Sequence, residues 1–463
     1  MKLLSARYLL LNLHLKYHSM NIRLTIILIT ITLFFATCTT DNNYDKTAAS
    51  SPDHLHDSLK KLTDVIIHDI FSPPVASRIY AYPSIATYEV LRQENLDYQS
   101  FAGQLNELPP TPLPDENQEY CFPLAGVHAF LAVSKAMIFS EEKIEAFTQE
   151  IHDAYREAGI PKRTFRNSLE YGEKVAQHIL LWADKDNYKQ TRTFPKFAIN
   201  DKEARWQPTP PAYMESIEPH WRKIRPFLLD SATQFVPLPP SPFDLSVGST
   251  FRNEVMEVYE TVKNLTPEQT EIANFWDCNP YVQHQTGHVM FATKKITPGG
   301  HWMGIASIAV KSTEKDIMQS AATYACTAIA LADAFISCWD EKYRSNLIRP
   351  ETVINQHIDE TWTPLLQTPP FPEYTSGHSV ISTAAATVLT HLHGENFAFE
   401  DYVEVEYGLP KRNFSSFEKA AEEAAISRLY GGIHYMPAIT QGVEQGKKVG
   451  DFVVENLTIN GKR

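Results

Sequence analysis

The chain has 463 residues, 43% of them hydrophobic and 21% charged, with 18 glycines and 30 prolines. That composition excludes a disordered or collagen-like chain and supplies ample length for a large buried core. The formal net charge of −13, from 42 basic and 55 acidic residues, argues against nucleic acid as a partner, because the sequence-independent part of such binding comes from Lys and Arg.

In chain order, the first feature is an address. Leu24 to Ala36 is almost wholly apolar or Thr and follows Arg23. It is shorter than the roughly 20 apolar residues that span a bilayer, and it reads as a secretory signal over residues 1–37. Ala36-Thr37-Cys38 is similar to a bacterial lipobox, with Phe35 where Leu is usual. Cys38 would then be an acylated first residue, and the protein exported and lipid-anchored in the bacterial cell envelope. An ordinary cleaved signal is the alternative, and Met20 is an alternative start. Residues 38–53 are polar and suit a flexible tether. Residues 54–463 are expected to form a single helical domain.

Helical periodicity marks His54–Ile70, Gly126–Phe139, Glu141–Ala158, Arg163–Asp184, Asn253–Asn264, Glu314–Tyr343, His378–His393, Phe417–Tyr430 and Ile439–Leu457. Strand-like alternation is short and rare, so the expected fold class is all-α, with proline clusters at 109–114, 208–211, 237–242 and 369–372 as connectors. Beyond the signal, Cys121, Cys278, Cys326 and Cys338 show no C-x-x-C spacing. That leaves zinc, thioredoxin-type and haem-attachment readings without support.

Three short segments carry chemistry. Lys342 and Arg349-Pro350 form K-x6-R-P at the end of a long helix, where cations also suit the helix dipole. Phe371-Pro-Glu-Tyr-Thr-Ser376-Gly377-His378 enters a helix from a proline-rich loop. It offers a hydroxyl, a Gly N–H and helix N-terminal amides to an anion, and an imidazole that exchanges protons. Ser427-Arg428 and His434 flank a helix-breaking diglycine. Each segment alone has a bland reading as a cap or a surface residue. Together, two Arg, one Lys, a Ser and a Gly N–H make a cage for a tetrahedral oxyanion, with two histidines left for different tasks.

K-x6-R-P, then S-G-H, then S-R-x5-H, in this order, resembles the vanadium-dependent haloperoxidases, which share their oxyanion cage with the phosphatidic acid phosphatase type 2 superfamily. The similarity runs from Ile272 to Ala438 and places an active site within residues 272–440. The resemblance implies helical bundles of the haloperoxidase and acid phosphatase type, a vanadate cofactor without haem, and hydrogen peroxide and a halide ion as substrates. Iodide is expected ahead of bromide. It implies that Lys342, Arg349, Ser376, Gly377 and Arg428 hold vanadate oxygens and that His434 ligates the metal. His378 would be the acid/base group and Asp277 its carboxylate partner, while Trp339 and Phe371 match halide-site aromatics. One departure stands out, because Ala438 occupies a position where the family commonly has Asp, the residue that would fix the ring of the axial His. Gly299-Gly300-His301-Trp302 resembles a family loop near the site mouth, its His read as structural, and Thr286-Gly287-His288 is taken as a loop. Two alternatives stand beside it: an exported acid phosphatase using the same cage through a phosphohistidine, and a non-enzymatic nutrient-binding lipoprotein.

Overall fold

The computed structural model describes residues 44–460, apart from 201, 281, 287 and 288, together with the pairs 13–14 and 17–18. The apolar stretch Leu24–Ala36 of the expected signal, Cys38, Gly287 and His288 lie outside the described residues. Among them the fold is helical. The helices that position the site are α1 (Asp53–His68), α2 (Pro73–Leu91), α3 (Phe122–Met137), α4 (Glu141–Glu157), α5 (Lys162–Ala183), α6 (Thr250–Lys263), α7 (Pro267–Phe275), α8 (Pro298–Ser312), α9 (Ile317–Ser345), α10 (Pro350–His357), α11 (Gly377–His393), α12 (Phe417–Tyr430) and α13 (Met436–Asn456). Two antiparallel hairpins, β1 (Val282–Thr286) with β2 (Val289–Thr293) and β3 (Phe399–Asp401) with β4 (Arg412–Phe414), ride on this frame.

Helix α9 is the axle. An Asp316 capping box with Gln319 starts it, and Asn346 in the left-handed region (φ 49°) ends it. Its length and apolarity would suit a membrane span, yet its apolar window is wholly buried within the protein, packed against α2, α8, α11 and α13. On one side α2 joins α3 and α5; on the other α11 is clasped between α12 and α13. The α11–α13 contact is very close. A Cβ on Gly446 would lie 2.3 Å from the Val380 carbonyl, and one on Gly442 3.0 Å from that of Ser376. This seam fixes where the Ser-Gly-His loop sits.

Four of these helices lie outside the periodic segments: α2, α8 and the short α7 and α10. Every residue of α2 is buried and Pro83 lies inside it, and α8 is buried almost all round. A helix with no wet face is marked by apolar length more than by a 3.6-residue pattern, and α2 (19 residues) and α8 (15 residues) are shorter than the equally buried α9 (29 residues). Gly299-Gly300-His301-Trp302, expected as a loop, is the first turn of α8, N-capped by Thr297. The expected tether also differs near its end: residues 46–49 form a helical turn capped by Asp45, with Ala49 buried against the main core.

Candidate active site

The Lys-Arg segment gains its geometry from the end of α9. Lys342 lies in the last turn, the left-handed Asn346 reverses the chain, and Arg349 then N-caps α10 ahead of Pro350. Both side chains are fully buried. Lys342 Nζ donates to the carbonyls of Pro372 (3.1 Å), Glu373 (3.1 Å) and Thr375 (2.5 Å). It ties the anion loop down and contributes its charge rather than a free donor. Burial, with Arg349 adding to it, pulls its pKa to about 8. Arg349 donates from Nε to the Phe371 carbonyl (2.9 Å) and from Nη1 to the Ile433 carbonyl (2.8 Å). Its Nη2 is buried with no partner.

Ser376 N-caps α11, and its own amide donates to the Ala438 carbonyl (3.0 Å). A Cβ on Gly377 would stand 3.8 Å from the Trp339 ring and 4.0 Å from Lys342 Cε, so this turn rests directly on α9. Gly432, at φ 76° after the end of α12, turns the chain so that His434 precedes α13.

The two histidines are held differently. His434 Nδ1 donates to Glu373 Oε1 (2.8 Å), which also accepts the Tyr435 amide (3.0 Å). That leaves Nε2 as the lone-pair nitrogen, which accepts from Arg349 Nη1 at 3.2 Å. His378 donates to the Trp276 carbonyl, and its Nε2 is buried without a partner. Burial, followed by the neighbouring cations, holds both rings well below the usual histidine range, so both are neutral.

Glu373 is the residue that sequence reasoning missed. It supplies the carboxylate that Ala438 does not. Ala438 instead offers its carbonyl to Ser376. The available signal was an acid five positions before His378, inside a loop otherwise suited to anions, where only pairing with cations and imidazole makes it tolerable. Burial pushes Glu373 up to about 7 against the pull of Arg349 and Lys342.

Asp277 is a correction. It lines the cavity but is ion-paired with Lys295 Nζ, while His378 donates to the backbone carbonyl of Trp276, the residue before Asp277. The adjacent Trp276 carbonyl also accepts from Arg428 Nη2 (2.8 Å), so the turn after α7 orients both groups through its backbone.

Gly377, His378, Arg428 and His434 line one cavity with Asp277, Cys278, Trp339 and Phe371. Lys342, Arg349 and Ser376 are fully buried beside it. The Trp339 and Phe371 rings meet at 5.0 Å and 51°, and Lys342 Nζ lies 5.0 Å from the Phe371 centroid. Lys342, Arg349 and Arg428 face Glu373, with buried Glu351 acting on Arg349 and the Lys295-paired Asp277 on Arg428, so cations outnumber carboxylates in this buried set. A buried excess of that kind is costly unless an anion neutralises it. The orphaned Arg349 Nη2 and His378 Nε2 add unspent hydrogen-bonding capacity. The chemistry of the donor set fits an oxyanion.

Comparison with known proteins gives the family. A solved structure described as the first bacterial vanadium-dependent iodoperoxidase is 53% identical, with 89% of this chain and 99% of that one covered and a TM-score of 0.85. The chain belongs to the vanadium-dependent haloperoxidases. This haloperoxidase is thus a peroxidase-type oxidoreductase, and its helical fold is that of the family. A family model described as the VCPO second helical-bundle domain matches residues 322–460, the stretch that holds all three cage segments. Two bacterial vanadium-dependent chloroperoxidase structures share the fold at 15% identity: an apo form (TM-score 0.62, 83% of this chain and 95% of that one) and a holo form (0.64, 90% and 96%). A comparison with curated proteins gave no match. All four cysteines in the described residues are free and buried.

Proposed function

We propose that this haloperoxidase oxidises iodide with hydrogen peroxide, using vanadate held by Arg349, Ser376, Gly377 and Arg428, with His434 Nε2 as the metal ligand. The buried excess of cations around two neutral imidazoles carries the reading. Vanadate held there would supply a Lewis-acidic centre that makes peroxide oxygen electrophilic toward halide. The chain's own groups do the rest. Glu373 fixes the His434 tautomer so that Nε2 keeps its lone pair, the nitrogen that would ligate the metal in place of accepting from Arg349 Nη1. His378 Nε2, neutral and unpartnered, accepts the proton released as hydrogen peroxide binds and returns it to the departing oxygen.

Iodide is supported by the similarity to an iodoperoxidase and by the walls of the cavity. Pro73, Pro298, Phe335, Trp339, Pro369 and Phe371 give a largely apolar lining, which suits a large, weakly hydrated anion. The space left for the centre of a water-sized sphere is about 40 Å³, against the ~10–15 Å³ that holds one water. Peroxide and a halide fit, whereas a bulky organic acceptor meets the oxidised halide outside.

The experiment strips the purified protein with chelator, titrates in orthovanadate, and follows peroxide-dependent oxidation of iodide and bromide beside p-nitrophenyl phosphate hydrolysis. Vanadate-restored iodide oxidation that exceeds bromide oxidation supports the proposal. Phosphatase activity in the stripped protein, inhibited by vanadate and without halide oxidation, would overturn it in favour of an acid phosphatase. Secretion and lipid attachment at Cys38 remain part of the proposal and are tested by mass spectrometry of the mature N-terminus.

A further inference from the structure

Behind the cavity, three segments distant in sequence bring a thiol, an imidazole and a carboxylate to one point. Cys278 follows α7, His301 sits in the first turn of α8, and Glu404 lies in the turn after β3. Cys278 Sγ is 3.5 Å from His301 Nδ1 and 3.7 Å from Glu404 Oε1, and those two atoms are 3.2 Å apart. Among the described residues this is the one group of three such donors. All three residues are buried, His301 completely. On its far side His301 Nε2 meets Asp401 Oδ2 at 2.8 Å, and Trp276 stacks on the ring at 4.7 Å.

We propose that Cys278, His301 Nδ1 and Glu404 form a binding site for a divalent transition-metal ion of the zinc class, distinct from the vanadate cage. Zinc bonds of about 2.0–2.3 Å in tetrahedral array separate N, O and S donors by about 3.3–3.6 Å, and the three measured edges bracket that range. Without a metal, the Cys278 thiol and His301 Nδ1 both donate to Glu404, and Asp401 on the far nitrogen holds the imidazole well above the usual histidine range; the metal reading rests on the three donor atoms standing at zinc-ligand separations. Asp401 completes the pattern as the outer carboxylate that orients a ligating histidine through its other nitrogen. A mixed thiolate, imidazole and carboxylate set selects zinc over magnesium or calcium. Binding displaces the thiol proton of Cys278 and the Nδ1 proton of His301, leaves Nε2–H on Asp401, and keeps a fourth position for water from the cavity that Cys278 lines.

The site has a clear mechanical consequence. It would clamp the turn after α7 to α8 and to the β3–β4 connection, and that turn presents the Trp276 carbonyl to His378 and Arg428. Cysteine spacing gave no zinc signal because the ligands lie up to 126 residues apart and share no local motif.

The test uses the full chain, purified without added metal or a metal-binding tag. Elemental analysis is expected to find one zinc per chain, retained on gel filtration and reduced at least tenfold in Cys278→Ala and His301→Gln. Cobalt(II) added to chelator-stripped wild type is expected to give the near-ultraviolet thiolate-to-cobalt band, absent from Cys278→Ser. Should the variants fail to fold, the wild-type cobalt spectrum alone decides. Overturning results are a cobalt complex lacking the thiolate band, or zinc uptake by wild type no greater than by folded Cys278→Ala.

Discussion

Replacing Arg349 by Lys isolates the oxyanion cage, because it keeps the charge and removes the fork. Arg349 Nη2 is the buried donor without a partner, and a charged donor reaching an anion is worth about 1.5–3 kcal/mol. The substitution also frees His434 Nε2 from Nη1 at 3.2 Å, which returns about 1 kcal/mol or less. The loss wins by about 1–2 kcal/mol, so vanadate should bind about five- to thirtyfold more weakly. Titration calorimetry of orthovanadate into stripped wild type and Arg349→Lys measures this directly. The carbonyls of Phe371 and Ile433 also lose donors, so the melting temperature of each stripped protein must be recorded to confirm folding. A folded Arg349→Lys protein that binds vanadate as tightly as wild type would refute the cage, since it would show that charge alone, without directed donors, holds the anion.

Glu373→Ala, which removes the acceptor on His434 Nδ1, should lower vanadate affinity by about ten- to a hundredfold; Asp277→Asn, paired with Lys295 instead, should leave it within about threefold, and equal losses in both variants would reverse the assignment. Gly446→Val forces a side chain against the Val380 carbonyl, where even a Cβ would lie at 2.3 Å. Overpacking there should cost about 3 kcal/mol, whereas Lys447→Ala on the exposed side of α13 should change stability by less than about 0.5 kcal/mol in urea unfolding. His56, buried beside the Tyr324 hydroxyl (2.5 Å), is lowered by burial from 6.5 to about 4. The unfolded chain therefore binds the extra proton first, and stability falls as pH drops from 6.5 towards 4, by up to about 3 kcal/mol for this group. His56→Gln should flatten that part of the stability-against-pH curve, measured by denaturant unfolding at pH 7.5, 6, 5 and 4; an unchanged slope would show that other groups govern it.

The helical class was legible in the linear chain, and so were the residues of the candidate cage. Lys342, Arg349, Ser376, Gly377, Arg428 and His434 were legible because capping, a proline start and a diglycine break are local events that place a side chain relative to its own helix end. The tertiary structure decided who partners whom. Helices α2 and α8 escaped notice because they are buried nearly all round without the length that marks α9, and α7 and α10 because they are short. Glu373 beneath His434, the Trp276 carbonyl on His378, Lys295 on Asp277 and the Cys278–His301–Glu404 triangle all join different segments. Such pairings depend on how closely helices pack, as in the glycine seam between α11 and α13, and a linear spacing carries no record of that distance.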